Sequence, residues 1–308
     1  MAHRQLAVVL AIAASITALG CASRQVTSPT KTLTMTEILA ATTADDWRPN
    51  SPDNTLYLEI PSGRVIMELA PNFAPRHVAN IKALVAAKYF DGLAITRVQD
   101  NFVAQWGDAE NARPTAPAAR NLAPEFDRAD GPDLPFTTLL DADGYAPTVG
   151  FSGGFPAARD GRTRRAWLTH CYATLGVGRD MAADSGSGTE LYVVIGHAPR
   201  QLDRNVTVVG RVLRGIELLA SLPRGTGAMG FYDPPSERIP IRSVRLASDL
   251  PSEARTPLEV LRTDTPSFQA LIESRRNRPD EWYLHQSDHI DLCNVPIPVR
   301  DATAVALH

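Results

Sequence analysis

Residues 97–108 read RVQDNFVAQWGD, and this stretch decides how the rest of the chain is interpreted. It overlaps two short runs of β-forming residues, 93–98 and 102–106, which predict two strands. The stretch combines a positive charge at Arg97 and a side-chain amide at Gln105 with the apolar side chains of Phe102 and Val103.

The regions on either side also predict short strands. Runs 55–60 and 64–69 are separated by Pro61-Ser62-Gly63, which is a hairpin signal. Further β-rich runs follow at 191–195, 206–212 and 239–246. Many short strands with few helices indicate a β-barrel or a β-sandwich.

Three helices are predicted between and after these strands. The first begins at Pro75, ends near Tyr89 and carries an apolar stripe of Val78, Ile81, Leu84 and Val85. The second is short, spans residues 215–221 and is stopped by Pro223. The third begins at Thr265-Pro266 and carries Phe268, Leu271 and Ile272.

From Arg97 onward, residues 97–108 resemble the signature of the cyclophilin-type peptidyl-prolyl isomerases, F-H-R-x-x-x-x-F-x-x-Q-G-G-D. Blocks similar to other family blocks occur in the family's order: APRHVANI at 74–81, YFDG at 89–92, GTELY at 188–192 and LDRNVTVVGRV at 202–212. The resemblance covers residues 54–249. It implies a mainly β fold, an eight-stranded antiparallel β-barrel capped by two helices, with the active groove on its outer face.

The resemblance also assigns roles to residues. It implies that Arg97 and Gln105 are catalytic, and that an apolar pocket for the proline ring is formed by Phe102, Val103, Tyr192 and Leu202. Rotation about an X–Pro bond needs no nucleophile, metal or redox cofactor. The expected partners are therefore proline-containing segments of unfolded or flexible proteins, with no cofactor and no metal site.

Several positions depart from the family pattern. Ile95 and Thr96 replace an aromatic residue and a histidine, Trp106 replaces a glycine, and Glu190 replaces a glutamine. In the pocket, Gln201 and Val206 stand where the family has an aromatic residue and a histidine. These departures predict a rebuilt groove rim and a weak response to cyclosporin-like ligands.

Composition excludes several other classes of protein. Lys and Arg total 31 against 34 acidic residues, with no long block of one sign, so nothing supports a nucleic-acid-binding surface. The chain has only three cysteines and no C-x-x-C motif, which excludes a disulfide-dense scaffold and a cysteine-rich zinc module.

The N-terminus predicts export. His3 and Arg4 precede an uncharged apolar run at 6–20 that has the length of a signal-peptide core, so residues 1–20 are interpreted as a signal peptide. The run ends in Ala18-Leu19-Gly20-Cys21, which resembles a bacterial lipobox and makes Cys21 a candidate for lipidation. Plain signal-peptidase cleavage is the alternative. The expected location is the periplasm, with a lipid anchor in the outer membrane as the sole membrane attachment.

Cys171 and Cys293 are the two thiols that remain. In an oxidising compartment they can form a disulfide, which in the chain-entropy model stabilises the fold by about 4–5 kcal/mol. The alternative is two separately buried free thiols, and the sequence leaves both open.

Three regions fall outside the recognised blocks. Residues 21–53 are rich in Thr, Ala and Ser, which predicts a tether with one helical turn at 35–39. Residues 109–165 are Pro-, Gly- and Ala-rich, so we expect an inserted surface loop that shapes a groove. Residues 250–308 read as a C-terminal extension.

Two other motifs match known site patterns but lack the structural context that those sites need. Gly150-Phe151-Ser152-Gly153-Gly154 fits G-x-S-x-G, but the predicted loop around it lacks the strand and helix that a nucleophile elbow needs. His285, His289 and Cys293 recur every fourth residue, yet their apolar neighbours favour an extended segment over a helix that would align three metal ligands.

Two hypotheses of function follow. The first is a peptidyl-prolyl cis-trans isomerase that assists the folding of secreted or envelope proteins. The alternative is a catalytically weak or inactive cyclophilin-like binding module or chaperone in the cell envelope. Arg97 and Gln105 favour the first hypothesis, whereas Trp106, Gln201 and Val206 favour the second.

Overall fold

The computed structural model of the chain describes residues 32–302. The helices of this range are α1 (Met35–Ala40), α2 (Pro75–Ala86), α3 (Ile216–Ala220) and α4 (Pro266–Arg276). The strands, in chain order, are β1 (Trp47–Pro49), β2 (Thr55–Ile60), β3 (Gly63–Leu69), β4 (Ala94–Val98), β5 (Val103–Gly107), β6 (Arg128–Ala129), β7 (Thr137–Leu139), β8 (Thr148–Ser152), β9 (Phe155–Asp160), β10 (Arg165–Leu168), β11 (Thr174–Val177), β12 (Glu190–Val194), β13 (Val208–Arg214), β14 (Ile239–Pro240), β15 (Ser243–Leu246), β16 (Leu258–Leu261) and β17 (Val299–Asp301).

The largest sheet is antiparallel and closes into a barrel. Its strand order is β14-β4-β5-β12-β11-β13-β3-β2-β15. The two edge strands are halves of one segment, because only Ile241 and Arg242 separate them. The Ile241 amide donates to the Leu93 carbonyl (2.8 Å), and the Arg242 amide donates to the Glu59 carbonyl (2.9 Å), so this segment borders both edges. Counting it once gives eight strands, which confirms the predicted barrel.

The interior of the barrel follows the alternation expected of strands. Leu56, Leu58 and Ile60 of β2 lie in the central core, whereas Tyr57 between them packs outside it with Leu258. The predicted helices α2 and α3 also contribute to this core, α2 through its apolar stripe and α3 through Leu219. Two helices therefore cap the barrel, as expected.

The segment 109–165 is not the surface loop that its composition predicts. It contains β6 to β9 and the first residue of β10, and these strands form a five-stranded antiparallel sheet in the order β6-β10-β9-β8-β7. Alanine and glycine keep this sheet thin: Ala157, Ala158 and Ala166 are all fully buried. The composition was misleading because small residues here serve close packing between two layers.

The expected tether is also folded where the structure describes it. Thr34 caps α1 through a capping box with Glu37, and β1 pairs with β16 in a three-stranded sheet that β17 completes. Arg48 of β1 makes two hydrogen bonds (2.6 and 2.8 Å) to the buried carboxylate of Glu68 on the barrel. Residues 34–49 therefore belong to the folded body.

These segments share one core with the C-terminal extension, and we call this body the second lobe: residues 34–49, 128–168 and 258–301. Ile38 of α1, Phe151 of β8 and Phe268 of α4 are among its buried residues. The rings of Phe151 and Phe268 meet edge to face, with centroids 4.9 Å apart. Three regions interpreted separately from the sequence thus form a single body.

The five-stranded sheet joins the second lobe to the barrel. On β10, Trp167 faces the core of the second lobe, whereas Ala166 and Leu168 face the other way and pack with Phe73 and Val208 of the barrel side. This is the period-two alternation of a sheet that is buried on both faces.

A disulfide links Cys171 to Cys293, with the sulfurs 2.01 Å apart, so the two thiols are not separate. It joins the segment that leads into β11 of the barrel to the end of the second lobe. Residues 1–31 and 303–308 lie outside the described residues, and with them the predicted signal peptide and the predicted lipidation site at Cys21. No helix within residues 32–302 is long and apolar enough to cross a bilayer.

Candidate active site

A groove of about 1160 Å³ runs along the outer face of the barrel. All six site residues predicted from the sequence line it: Arg97, Gln105, Phe102, Val103, Tyr192 and Leu202. Ala109, Asn111, Arg120 and Asn121 line it as well, so the first part of the predicted insert does help to shape a groove.

The register of three strands brings the key side chains together. Arg97 of β4 lies opposite Gln105 of β5, and Gln105 in turn lies opposite Tyr192 of β12. Residues that face each other in an antiparallel sheet project from the same side. The row Arg97, Gln105, Tyr192 is therefore set by backbone pairing.

The Arg97 guanidinium is held on all sides. Its Nε donates to the Met229 carbonyl (2.7 Å) and its Nη1 donates to Oε1 of Gln105 (3.2 Å). Its Nη2 donates to the side chain of Gln99. The rings of Phe102 and Phe231 each lie with their centroids 5.4 Å from the guanidinium carbon.

These surroundings remove water from the cation. Burial lowers the pKa of Arg97, and the nearby carboxylate of Glu190 acts in the opposite direction. A partly desolvated guanidinium makes stronger hydrogen bonds than one in bulk water. Arg97 is thus a fixed charge with reduced competition from solvent.

Glu190 orients Gln105. The Gln105 amide nitrogen donates to Oε2 of Glu190 (2.6 Å), which turns Oε1 of Gln105 toward Arg97. Burial raises the pKa of Glu190, and the bond from Gln105 partly offsets that effect. At position 190, where the resemblance implies a glutamine, this protein has a carboxylate that adds negative charge to the groove.

An apolar pocket lies beside this row. Val103 and Tyr192 are buried, and Phe102 and Val206 pack against them half-buried. Leu202, from the short 3-10 turn Arg200–Leu202, forms another wall. Apolar walls beside one oriented polar row suit a ring with an adjacent amide.

Two expectations about the rim are corrected or refined. Trp106 is not at the rim: it is completely buried in the barrel core, because its position in β5 alternates with that of Gln105. Gln201 is exposed and does not line the groove, whereas Val206 does.

Sequence reasoning missed Phe231 and Met229. Both line the groove against Arg97, and Phe231 forms a β-bridge with it. They lie more than 120 residues from Arg97 in a stretch without a recognisable motif, so no local signal could have identified them.

Ser152 of the G-x-S-x-G motif and Cys293 of the His/Cys series do not line this groove. Ser152 is buried at the end of β8 and is followed by a glycine turn into β9, not by a helix. Cys293 is held in the disulfide. Within residues 32–302, no group of three or more His, Cys, Asp or Glu side chains could hold a metal ion.

Comparisons with known proteins agree with this geometry. The family model for the cyclophilin type peptidyl-prolyl cis-trans isomerase/CLD matches residues 55–246. A probable peptidyl-prolyl cis-trans isomerase of Brucella suis biovar 1 (strain 1330) is 28% identical over 178 residues, which are 58% of this chain and 75% of the relative. The Homo sapiens peptidyl-prolyl cis-trans isomerase-like 1 is 24% identical over 221 residues, which are 70% of this chain and 99% of the relative.

A solved structure extends the likeness. The crystal structure of a cyclophilin from Hirschia baltica superposes with a TM-score of 0.68 and 27% identity, covering 88% of this chain and 99% of that chain. This coverage exceeds residues 55–246, so the similarity takes in parts of the second lobe. Barrel, groove and matches define a class of enzyme, the peptidyl-prolyl cis-trans isomerases. Within that class, the chain belongs to the cyclophilin-type family.

Proposed function

We propose that this enzyme accelerates X–Pro isomerisation in secreted or envelope proteins, through a hydrogen bond from Arg97 that strengthens in the transition state. The observation that carries the proposal is the row of Arg97, Gln105 and Tyr192 beside an apolar pocket. A proline ring held in that pocket places its preceding amide next to the guanidinium.

The chemistry required is modest. Rotation breaks amide resonance against a barrier of about 18–20 kcal/mol. Loss of resonance frees the lone pair of the prolyl nitrogen, so a donor such as Arg97 binds the twisted amide better than the planar one. One charge-assisted bond contributes about 1.5–3 kcal/mol, or roughly 10- to 150-fold in rate. The pocket and the desolvated surroundings of Arg97 must supply the rest.

The proposed location follows from the N-terminal sequence. We place the mature protein in the periplasm, attached to the outer membrane by a lipid on Cys21, where unfolded or flexible segments of exported proteins are its substrates. The disulfide between Cys171 and Cys293 supports an oxidising compartment.

A weakly active binding module is the second candidate. The observation that favours it is that all three guanidinium nitrogens of Arg97 already donate to Met229, Gln105 and Gln99. A substrate carbonyl must displace or share one of these bonds, which lowers the net gain from binding.

Exchange spectroscopy of a short X–Pro peptide separates the two. Uncatalysed exchange takes tens of seconds, so catalysis is plain in NMR exchange measurements with the full mature protein. We expect acceleration that falls at least tenfold in Arg97→Ala, with part of it retained in Arg97→Lys, which keeps the charge. Binding of the peptide to a folded sample without any acceleration would support the binding module and reject the enzyme proposal.

A further inference from the structure

We propose that His170, Asp203, Arg200 and Asp143 are positioning residues for the isomerase pocket, and that the second lobe sets the pocket's shape through them. This inference rests on the proposed function, because it assigns the pocket its role in holding proline. It gives a role to His170, a buried histidine that takes no part in the proposed mechanism.

Tyr192 forms the floor of the pocket. The Tyr192 ring crosses Gly176 on the neighbouring strand β11, and a Cβ at Gly176 would lie 2.2 Å from the ring carbon Cζ. Only glycine therefore admits the ring in this position. The tyrosine hydroxyl extends beyond the strand to the Nε2 atom of His170, 2.8 Å away.

His170 is completely buried and bonded at both ring nitrogens. Its Nδ1 lies 2.9 Å from Oδ1 of Asp203, which also accepts the backbone amide of His170 (2.8 Å). A carboxylate can only accept, so Nδ1 carries a proton. Burial raises the pKa of Tyr192, so its hydroxyl keeps its proton, and this hydroxyl makes the bond to the second ring nitrogen, Nε2. The chain of hydrogen bonds fixes both rings.

The chain of hydrogen bonds continues into the second lobe. Arg200 donates from Nε to Asp203 (2.6 Å) and from both terminal nitrogens to Asp143 (2.8 and 3.1 Å). Burial alone would lower the pKa of Arg200, but its bonds to the two carboxylates raise it. Asp143 lies between β7 and β8, and the amides of Tyr145 and Ala146 hold its Oδ1.

Two pocket walls depend on this chain of hydrogen bonds. Tyr192 is held through its hydroxyl, and Leu202 stands between Arg200 and Asp203 on the same short turn. Cys171, next to His170, is bonded to Cys293 of the second lobe. A pocket fixed in advance binds its ligand without a cost in ordering side chains. Loss of the chain is therefore expected to weaken peptide binding more than the chemical step.

The test compares two aspartates in the same loop region. Asp143→Asn removes a charge from this chain of hydrogen bonds. Asp141→Asn removes a similarly buried charge, whose ion pair with the more exposed Arg276 of α4 does not lead to the groove. Because the bonds from Arg200 lose their charge assistance at Asp143, we expect KM to rise about five- to tenfold in Asp143→Asn with kcat little changed. Asp141→Asn serves as the control with unchanged KM.

A double-mutant cycle tests the last link. We expect His170→Leu to raise KM in the native background but to have little further effect beside Tyr192→Phe, which has no hydroxyl to hold. Equal KM in Asp143→Asn, Asp141→Asn and the unaltered enzyme would overturn the inference while leaving the isomerase intact. Absence of turnover in the unaltered protein would instead reject the proposed function, and the same comparison is then decided on the peptide's Kd from NMR titration.

Discussion

The barrel and the second lobe differ in which parts of the sequence they bring together. Three pairs of neighbouring strands in the barrel are local hairpins: β2–β3, β4–β5 and β11–β12. The second lobe gathers residues 34–49, 128–168 and 258–301 around one core. Local pairing leaves a signature in the sequence, whereas assembly from distant segments does not. Three regions that look like separate additions in the sequence therefore form one structural unit.

Removing the disulfide is expected to have the largest effect on the second lobe. The link between Cys171 and Cys293 closes a loop with a sequence separation of 122 residues, so the chain-entropy model assigns it about 4–5 kcal/mol. We expect the double variant Cys171→Ser, Cys293→Ser to melt at least about 10 °C lower than the oxidised protein. Thermal melts with and without reductant measure this, and reductant should not affect the variant. Equal melting temperatures would show that the lobe does not need the link.

A core substitution in the second lobe tests whether that core is tightly packed. Phe268→Ala removes a completely buried ring in contact with Phe151, so we expect a loss of about 3–5 kcal/mol in the free energy of unfolding. Trp282→Ala is the matched control, since that side chain is 81% exposed and should cost little. Denaturant titration of both variants decides, and similar midpoints would argue against a packed lobe.

The ion pair between Arg48 and Glu68 tests how strongly residues 34–49 are attached to the barrel. Arg48→Ala leaves the buried Glu68 carboxylate without this partner, and we expect a loss of about 1–3 kcal/mol. The exposed pair of Arg224 and Asp100 provides the control, because Arg224→Ala should change the stability by less than about 1 kcal/mol. If both variants lose the same small amount in denaturant titration, residues 34–49 contribute little to the fold.

Much of the barrel was predictable from the sequence for a physical reason. Strand alternation, the hairpin at 61–63 and the helix beginning at Pro75 are all local signals. The six site residues predicted through the resemblance all line one groove, and Arg97, Gln105 and Tyr192 among them occupy paired positions on adjacent strands.

The remainder depended on contacts between distant segments. Phe231 meets Arg97 through a bridge that no local pattern encodes. The alanine-rich strand β9 read as loop because close packing between two layers selects small side chains there. Trp106 is a core residue and not a rim residue, because its position in β5 alternates with that of Gln105, which lines the groove.

Glu190 offers the smallest expected effect, and it concerns the barrel alone. Since burial raises the pKa of Glu190, its ionised form destabilises the folded state, and this penalty is present at neutral pH and lost as pH falls toward 4.5. Glu190→Gln, which restores the amide of the family pattern, should therefore melt slightly higher than the native protein at pH 7. The difference should shrink in melts at pH 5. A difference that grows on acidification would contradict this account.

Hydrogen exchange of the full mature protein tests most directly whether the second lobe is one unit. Peptides from 34–49, 137–168 and 258–276 should exchange slowly, at similar rates, and should lose protection together when the disulfide is reduced, while β2 and β3 stay protected. Exchange of 34–49 within seconds in the oxidised protein, as a tether would show, would contradict the account.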